Sequence, residues 1–230
     1  MLYANLQKGF TYIPNGFKFG VIIKQSSCDQ RHSGFFFINH LDNDQIYKLH
    51  LLDGLKAGNF NEKDLKDYAY TWFENLRPTR VRPIVTKLAL LAEKIIKNGD
   101  DTPFGFIYSG KAYYNDQNAF VPGLLGDSLT CATFITCLLQ QNGINLVDNS
   151  SWPILSDDIE WKYTHFSYME MVGYTKQFIQ AQERFIDCYP RIKPEHVVGA
   201  TLVFNSSSPC VYQDVLKPSE HVLKELIRLT

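Results

Sequence analysis

The chain predicts an α+β fold, in which a small antiparallel sheet packs against a cysteine-bearing helix with further helices around them. Three observations carry this. Segments of β-rich composition crowd the start of the chain, at 17–24, 32–39 and 45–54. Helical periodicity dominates from about residue 61 onward. The stretch "GDSLTCATFITCLLQQNG" (126–143) reads as a helix that begins near Ser128 or Thr130 and stops at Gly143, with Cys131 in its first turn. Strands followed by helices, rather than alternating with them, point to α+β.

The elements follow in order. "FKFGVIIK" (17–24), "HSGFFFIN" (32–39) and "QIYKLHLLDG" (45–54) are aromatic and β-branched, and the last two are joined by the turn-like "HLDND", so 17–54 reads as an antiparallel meander. In 62–76, Leu65, Ala69, Trp72 and Leu76 keep helical spacing behind Asn61 as a cap. The next helix starts at Pro83, buries Ile84, Leu88, Leu91 and Ile95, and closes at Gly99. A loop with a short strand, "FGFIYSG" (104–110), leads to the Cys131 helix. "INLVDNSSWPILSDD" reads as a polar turn segment. Further helices are expected around 168–187, 194–201 and 217–228, with 205–209 as a loop. The expectation is a single domain over 1–230, with a helical insertion at about 61–99 and a helical C-terminal part.

Composition narrows the function classes. The 230 residues are ample for a real core, and 45% hydrophobic with 20% charged residues is ordinary for a globular protein. The net charge of −1 is mixed along the chain with no basic block, so no nucleic-acid partner is expected. "KLALLAEKII" is the nearest approach to a membrane span, and its charges fall at helical spacing. No signal peptide is read in "MLYANLQKGFTYIPNG", and a cytoplasmic chain is expected. Five scattered cysteines without a C-x-x-C pair argue against a disulfide framework or a zinc knuckle. No cofactor or metal is expected.

Chemistry concentrates on Cys131. A helix N-terminus offers free N–H groups and partial positive charge, which lower a thiol pKa and can hold an oxyanion. Cys131 also shares a face with Phe134, Ile135 and Leu138, so an inert core thiol is the competing reading. Cys137, mid-helix, reads as packing, and Cys28, Cys188 and Cys210 lie in no comparable context. A thiolate nucleophile needs a base, and the base an orienting group. Of six histidines, His40 lies in a turn, and His165, His196 and His221 read as solvated. His32 opens one strand and His50 lies inside the next, so a hairpin can bring both imidazoles to one face. The Cys131 helix should butt against that face. As plain strand residues, both can equally be structural.

A strand opened by "HSGFFFI", a second strand carrying "KLHL", and a later helix opened by "LTCATFI" resemble the circularly permuted papain-like class. That class includes the permuted NlpC-type, YiiX-like amidases and lecithin:retinol acyltransferase. The resemblance covers mainly 17–54 and 126–147. It implies a papain-like (permuted NlpC-type) fold, with Cys131 as nucleophile, His32 as general base and His50 as the orienting residue. It implies a cysteine hydrolase (amidase or peptidase) that works through an acyl-enzyme thioester. The partner would be a small-molecule, peptide or acyl substrate. "TCATF" and the polar C-terminus favour a soluble amide or ester over a membrane lipid. An acyltransferase using the same Cys–His site is the second reading, and a non-catalytic binding protein on the same fold the third. The Cys131 N–H would supply one oxyanion donor and Tyr108 or Tyr113 another, with nothing in the sequence to select between the two tyrosines.

Overall fold

In the computed structural model the described residues are 7, 16–26, 30–52, 54–60 and 67–229. The meander forms as three antiparallel strands, β1 (Phe19–Gln25), β2 (Arg31–Asn39) and β3 (Gln45–Leu52). Two strands that the sequence did not announce extend it. β4 (Gly54–Asn59) pairs with β3, and β5 (Ala69–Trp72) pairs with β1. The sheet order is β4-β3-β2-β1-β5, antiparallel throughout. Asn43 and Asp44, at φ 49° and 57°, turn the chain between β2 and β3, because Asn and Asp tolerate the left-handed region better than most residues.

Strand alternation splits the sheet into two faces. Phe19, Val21, Ile23, Phe35, Phe37, Leu49 and Leu51 enter the main core. Ile22, Phe36, Ile46 and Tyr70 point the other way and form a second cluster with Phe60 and Tyr68. The helices build on the first face. α1 (Pro78–Asn98) packs on β4 and β2, and α2 (Cys131–Gln141) packs on β2 and β3. The Phe134 ring meets the Phe35 ring edge-on at 5.7 Å. A 3₁₀ turn (Asn149–Ser151) follows, then α3 (Ser156–Thr164), α4 (Phe166–Met171) and α5 (Lys176–Arg184). α6 (Pro194–Val203) is buried against β1 and β2 and pairs with α7 (Tyr212–Leu229). A two-residue pair, β6 (Tyr113–Tyr114) with β7 (Phe120–Val121), flanks α2.

Several expectations are corrected. Of the helix expected over 62–76, Asn61 and Leu65 lie outside the described residues, and Ala69 and Trp72 belong to strand β5. "AYTW" is rich in β-forming residues, and pairing on β1 buries Tyr70 and Thr71 on both faces, which outweighs an accidental helical spacing. Among the described residues of the insertion, the helix starts at Pro78. Pro78 occupies the first turn, where its missing N–H costs nothing, and Pro83 lies one turn further in, on the exposed side. Residues 104–110 form no strand. Their backbone bonds instead to the 127–129 loop and to side chains, with Ser109 N–H donating to Asp127 Oδ1 at 2.8 Å and Phe106 N–H to Gln182 Oε1 at 2.8 Å. The span 168–187 is broken at Gly173, whose φ of 91° ends α4 and separates it from α5. The expected turn segment 144–158 ends inside α3, whose first turn begins at Ser156.

Candidate active site

The start of α2 is built locally. Thr130 Oγ1 accepts from Thr133 N–H at 3.1 Å, and Thr133 Oγ1 accepts from Thr130 N–H at 2.7 Å. This reciprocal cap fixes the first turn. The loop leading in is held by two buried side chains. Asp127 accepts from the N–H groups of Ser109, Gly123 and Leu124 and from the Ser109 hydroxyl. Gln182, from α5, donates to Gly126 O at 2.7 Å. Both were missed in the sequence, because an isolated Asp or Gln carries no sign of what it will bond.

Cys131 thus opens α2 as expected, but its thiol pKa is raised, not lowered. Burial is the largest cause. The nearby N–H groups of Ser33, Ala132 and Cys131 oppose it without overcoming it. The helix N-terminus acts in the expected direction, and desolvation of the anion outweighs it.

The hairpin delivers the two histidines. His32 Nε2 lies 2.6 Å from His50 Nδ1, with both residues buried. His50 stands opposite Gly34 in the β2–β3 pair, and Gly34 makes room for it. A Cβ there would fall 2.6 Å from His50 Cβ and 2.8 Å from the Leu49 carbonyl oxygen. Gly34 is therefore a site residue, visible in "HSG" only after the register is known. The His32 pKa is lowered to about 3, first by burial and then by the neighbouring His50, Lys24 and Lys48. At neutral pH the ring is uncharged.

Alternation gives His32 and His50 to the face that carries Lys24 and Lys48, and Ser33 to the face that carries α2. The helix therefore does not pack flat on the histidine face. The groups meet around the end of the strands, where a cavity of about 630 Å³ is lined by Cys131, His32 and His50 together. The sulfur lies by Ser33, the residue next to His32 in the chain. Among the described residues no hydrogen bond joins Cys131 directly to His32.

The remaining expectations sort plainly. Tyr108 donates to Gln140 Oε1 at 2.8 Å, and Tyr113 is exposed on β6; neither lines the cavity, so neither is an oxyanion donor there. His165, read as solvated, is half-buried and lines the cavity beside Trp161, with burial lowering its pKa. His196, also read as solvated, is buried in α6 and accepts from Trp152 Nε1–H at 3.1 Å. Cys137 packs in the core and donates to Ala112 O at 3.3 Å. Cys28 lies outside the described residues. Among the described residues no group of three His, Cys, Asp or Glu side chains is placed to hold a metal ion, and no helix is long and apolar enough to cross a membrane. Comparison of the chain with family models, with curated proteins and with solved structures returns no match.

Proposed function

We propose that the chain is a cysteine-dependent acyl hydrolase, an amidase or peptidase of permuted papain-like type, with Cys131 as nucleophile, His32 as base and His50 as the positioning residue. The observation that carries the reading is the His32–His50 imidazole pair, bonded at 2.6 Å on the wall of the cavity that Cys131 also lines. Two buried imidazoles in contact are a poor structural filler, because each must find a partner for both ring nitrogens.

The chemistry follows from the tautomers. His32 Nε2–H donates to His50 Nδ1, which puts the His50 proton on Nε2 and leaves a lone pair on His32 Nδ1. That nitrogen takes the thiol proton as Cys131 Sγ bonds to the substrate carbonyl carbon. The carbonyl π electrons move to oxygen, and the Cys131 N–H faces the developing oxyanion. Collapse breaks the bond to the leaving amine or alcohol, which takes its proton from His32. Water then attacks the thioester, His32 accepts its proton, and the acid departs as the thiol is re-formed. A raised Cys131 pKa and a lowered His32 pKa favour a neutral resting pair, with charge created only during the reaction. A transferase would differ only in the last acceptor. A cytoplasmic setting fits the free thiols in this reading.

The test is to trap the acyl-enzyme. Incubation with p-nitrophenyl esters, followed by intact mass measurement, should add one acyl group to the wild type and none to Cys131→Ala. The adduct should be released by hydroxylamine, as a thioester is. Adding a primary amine separates the two enzymatic readings, because an amide product in place of the acid means transfer. No adduct and no turnover across the ester and amide panel would leave only a binding protein.

A further inference from the structure

The cavity wall is unevenly charged. Lys24, Arg31 and Arg191 line it, and no carboxylate does among the described residues. Among the described residues, two carboxylates pair with cations there. Glu195 Oε1 lies 3.6 Å from Arg31, and Asp158 Oδ1 lies 3.3 Å from Arg191 and 3.2 Å from Lys193. Asp158 is thus shared by two cations. Lys24 sits 4.9 Å from the centre of the Tyr68 ring. Among the described residues, Lys24, Arg31, Arg191 and Lys193 gather at this end with Glu195 and Asp158. Lys48, whose ammonium lies near the Phe60 and Tyr68 rings, adds to the positive potential at His32.

The same wall is aromatic. Tyr68, Phe104, Trp161 and Tyr168 line the cavity, and the Arg191 guanidinium lies flat on the Trp161 ring at 3.4 Å. Stacking on Trp161 and pairing with Asp158 hold Arg191 in place, so its charge is pre-organised and loses little entropy on binding. A concave site with apolar walls and a few convergent cations selects a ligand that is apolar in part and anionic at one end.

We propose that this cavity takes an acyl substrate carrying an anionic group, a carboxylate or a phosphate, held by Lys24, Arg31 and Arg191 while the carbonyl carbon lies at Cys131. The proposal rests on the cysteine-hydrolase reading for the fate of the acyl group, but the anion preference can be measured without turnover.

The experiment alkylates Cys131 with two reagents of the same leaving group, anionic iodoacetate and neutral iodoacetamide. Peptide mapping gives the rate at Cys131, and N-acetylcysteinamide at the same pH gives the reference ratio. The expected iodoacetate-to-iodoacetamide ratio at Cys131 exceeds the reference by about tenfold or more, since a cationic cleft concentrates anions. Lys24→Gln should lower it several-fold, and about 0.5 M NaCl should shrink it further as screening sets in. A ratio at or below the reference overturns the proposal. Calorimetric titration with glutarate, inorganic phosphate and neutral glutaramide is a second reading that does not use the thiol. Tighter binding of glutarate identifies a carboxylate, tighter binding of phosphate a phosphoryl group, and neither anion binding better than glutaramide overturns the proposal. An anion preference with no turnover of any ester removes the hydrolase reading and keeps this one. Turnover with no anion preference does the reverse.

Discussion

Two thiols six residues apart on α2 sit in different surroundings. Cys137 lies wholly in the core and donates to the Ala112 carbonyl, so its neighbour wants it protonated. Burial pushes its pKa up to about 12. Cys131 is also pushed up by burial, but it lines the cavity and the N–H groups of Ser33, Ala132 and Cys131 pull the other way. One thiol faces the cavity and the other the core. Reactivity at a helix N-terminus therefore depends less on the dipole than on how much water is removed from the sulfur.

The sharpest way to break this comparison is to remove each sulfur. Cys131→Ala should abolish hydrolysis, by on the order of 10⁶-fold if it acts as the nucleophile of a cooperating set. It should leave the melting temperature nearly unchanged. Cys137→Ala should keep activity and cost about 1 kcal/mol of stability, from a small cavity. Equal loss of activity from both variants, with both folded, would mean that the nucleophile is not Cys131.

Smaller effects come from the imidazole pair. His32→Ala should lower kcat by about 10²–10⁴-fold, the usual worth of a general base. His50→Ala should lower it less, and His50→Asn should restore part of that loss, because a tautomer can still be held. A His50→Ala enzyme as fast as the wild type would reduce His50 to a strand residue. Gly34→Ala tests the packing beneath the pair. The new Cβ has no space against His50 Cβ, so strand β3 must shift. The expected cost is about 1–3 kcal/mol of overpacking, with kcat falling more than KM changes.

The last effect is thermodynamic. The His32 pKa is depressed to about 3 in the fold, against an ordinary 6.5. As pH falls below about 6.5, the unfolded chain binds that proton and the folded chain does not. Stability is unaffected above this range and drains away between about pH 6.5 and 3, by at most about 1.4 kcal/mol per pH unit for one group. Urea midpoints between pH 7 and 4 measure it. His32→Gln should flatten part of the slope. His196, depressed to about 4 mainly by burial, accounts for another part.

The sequence by itself determined the three-strand meander, the helix that opens at Cys131, and the choice of His32 and His50 as neighbours across a hairpin. These rest on local signals: β-rich runs, the "HLDND" turn, and a Thr cap followed by apolar spacing. The tertiary structure decided what local signals do not contain. Residues 69–72 became a strand because β1 offered an edge to pair with. The β2–β3 register, with Gly34 beneath His50, decided that the imidazoles touch. Burial decided the direction of the Cys131 shift, and the meeting of β1, β2, α3 and the segment before α6 decided that Lys24, Arg31, Trp161 and Arg191 share one wall. Each of these depends on which distant segments exclude water from one another, a property of the folded whole that no window of sequence carries.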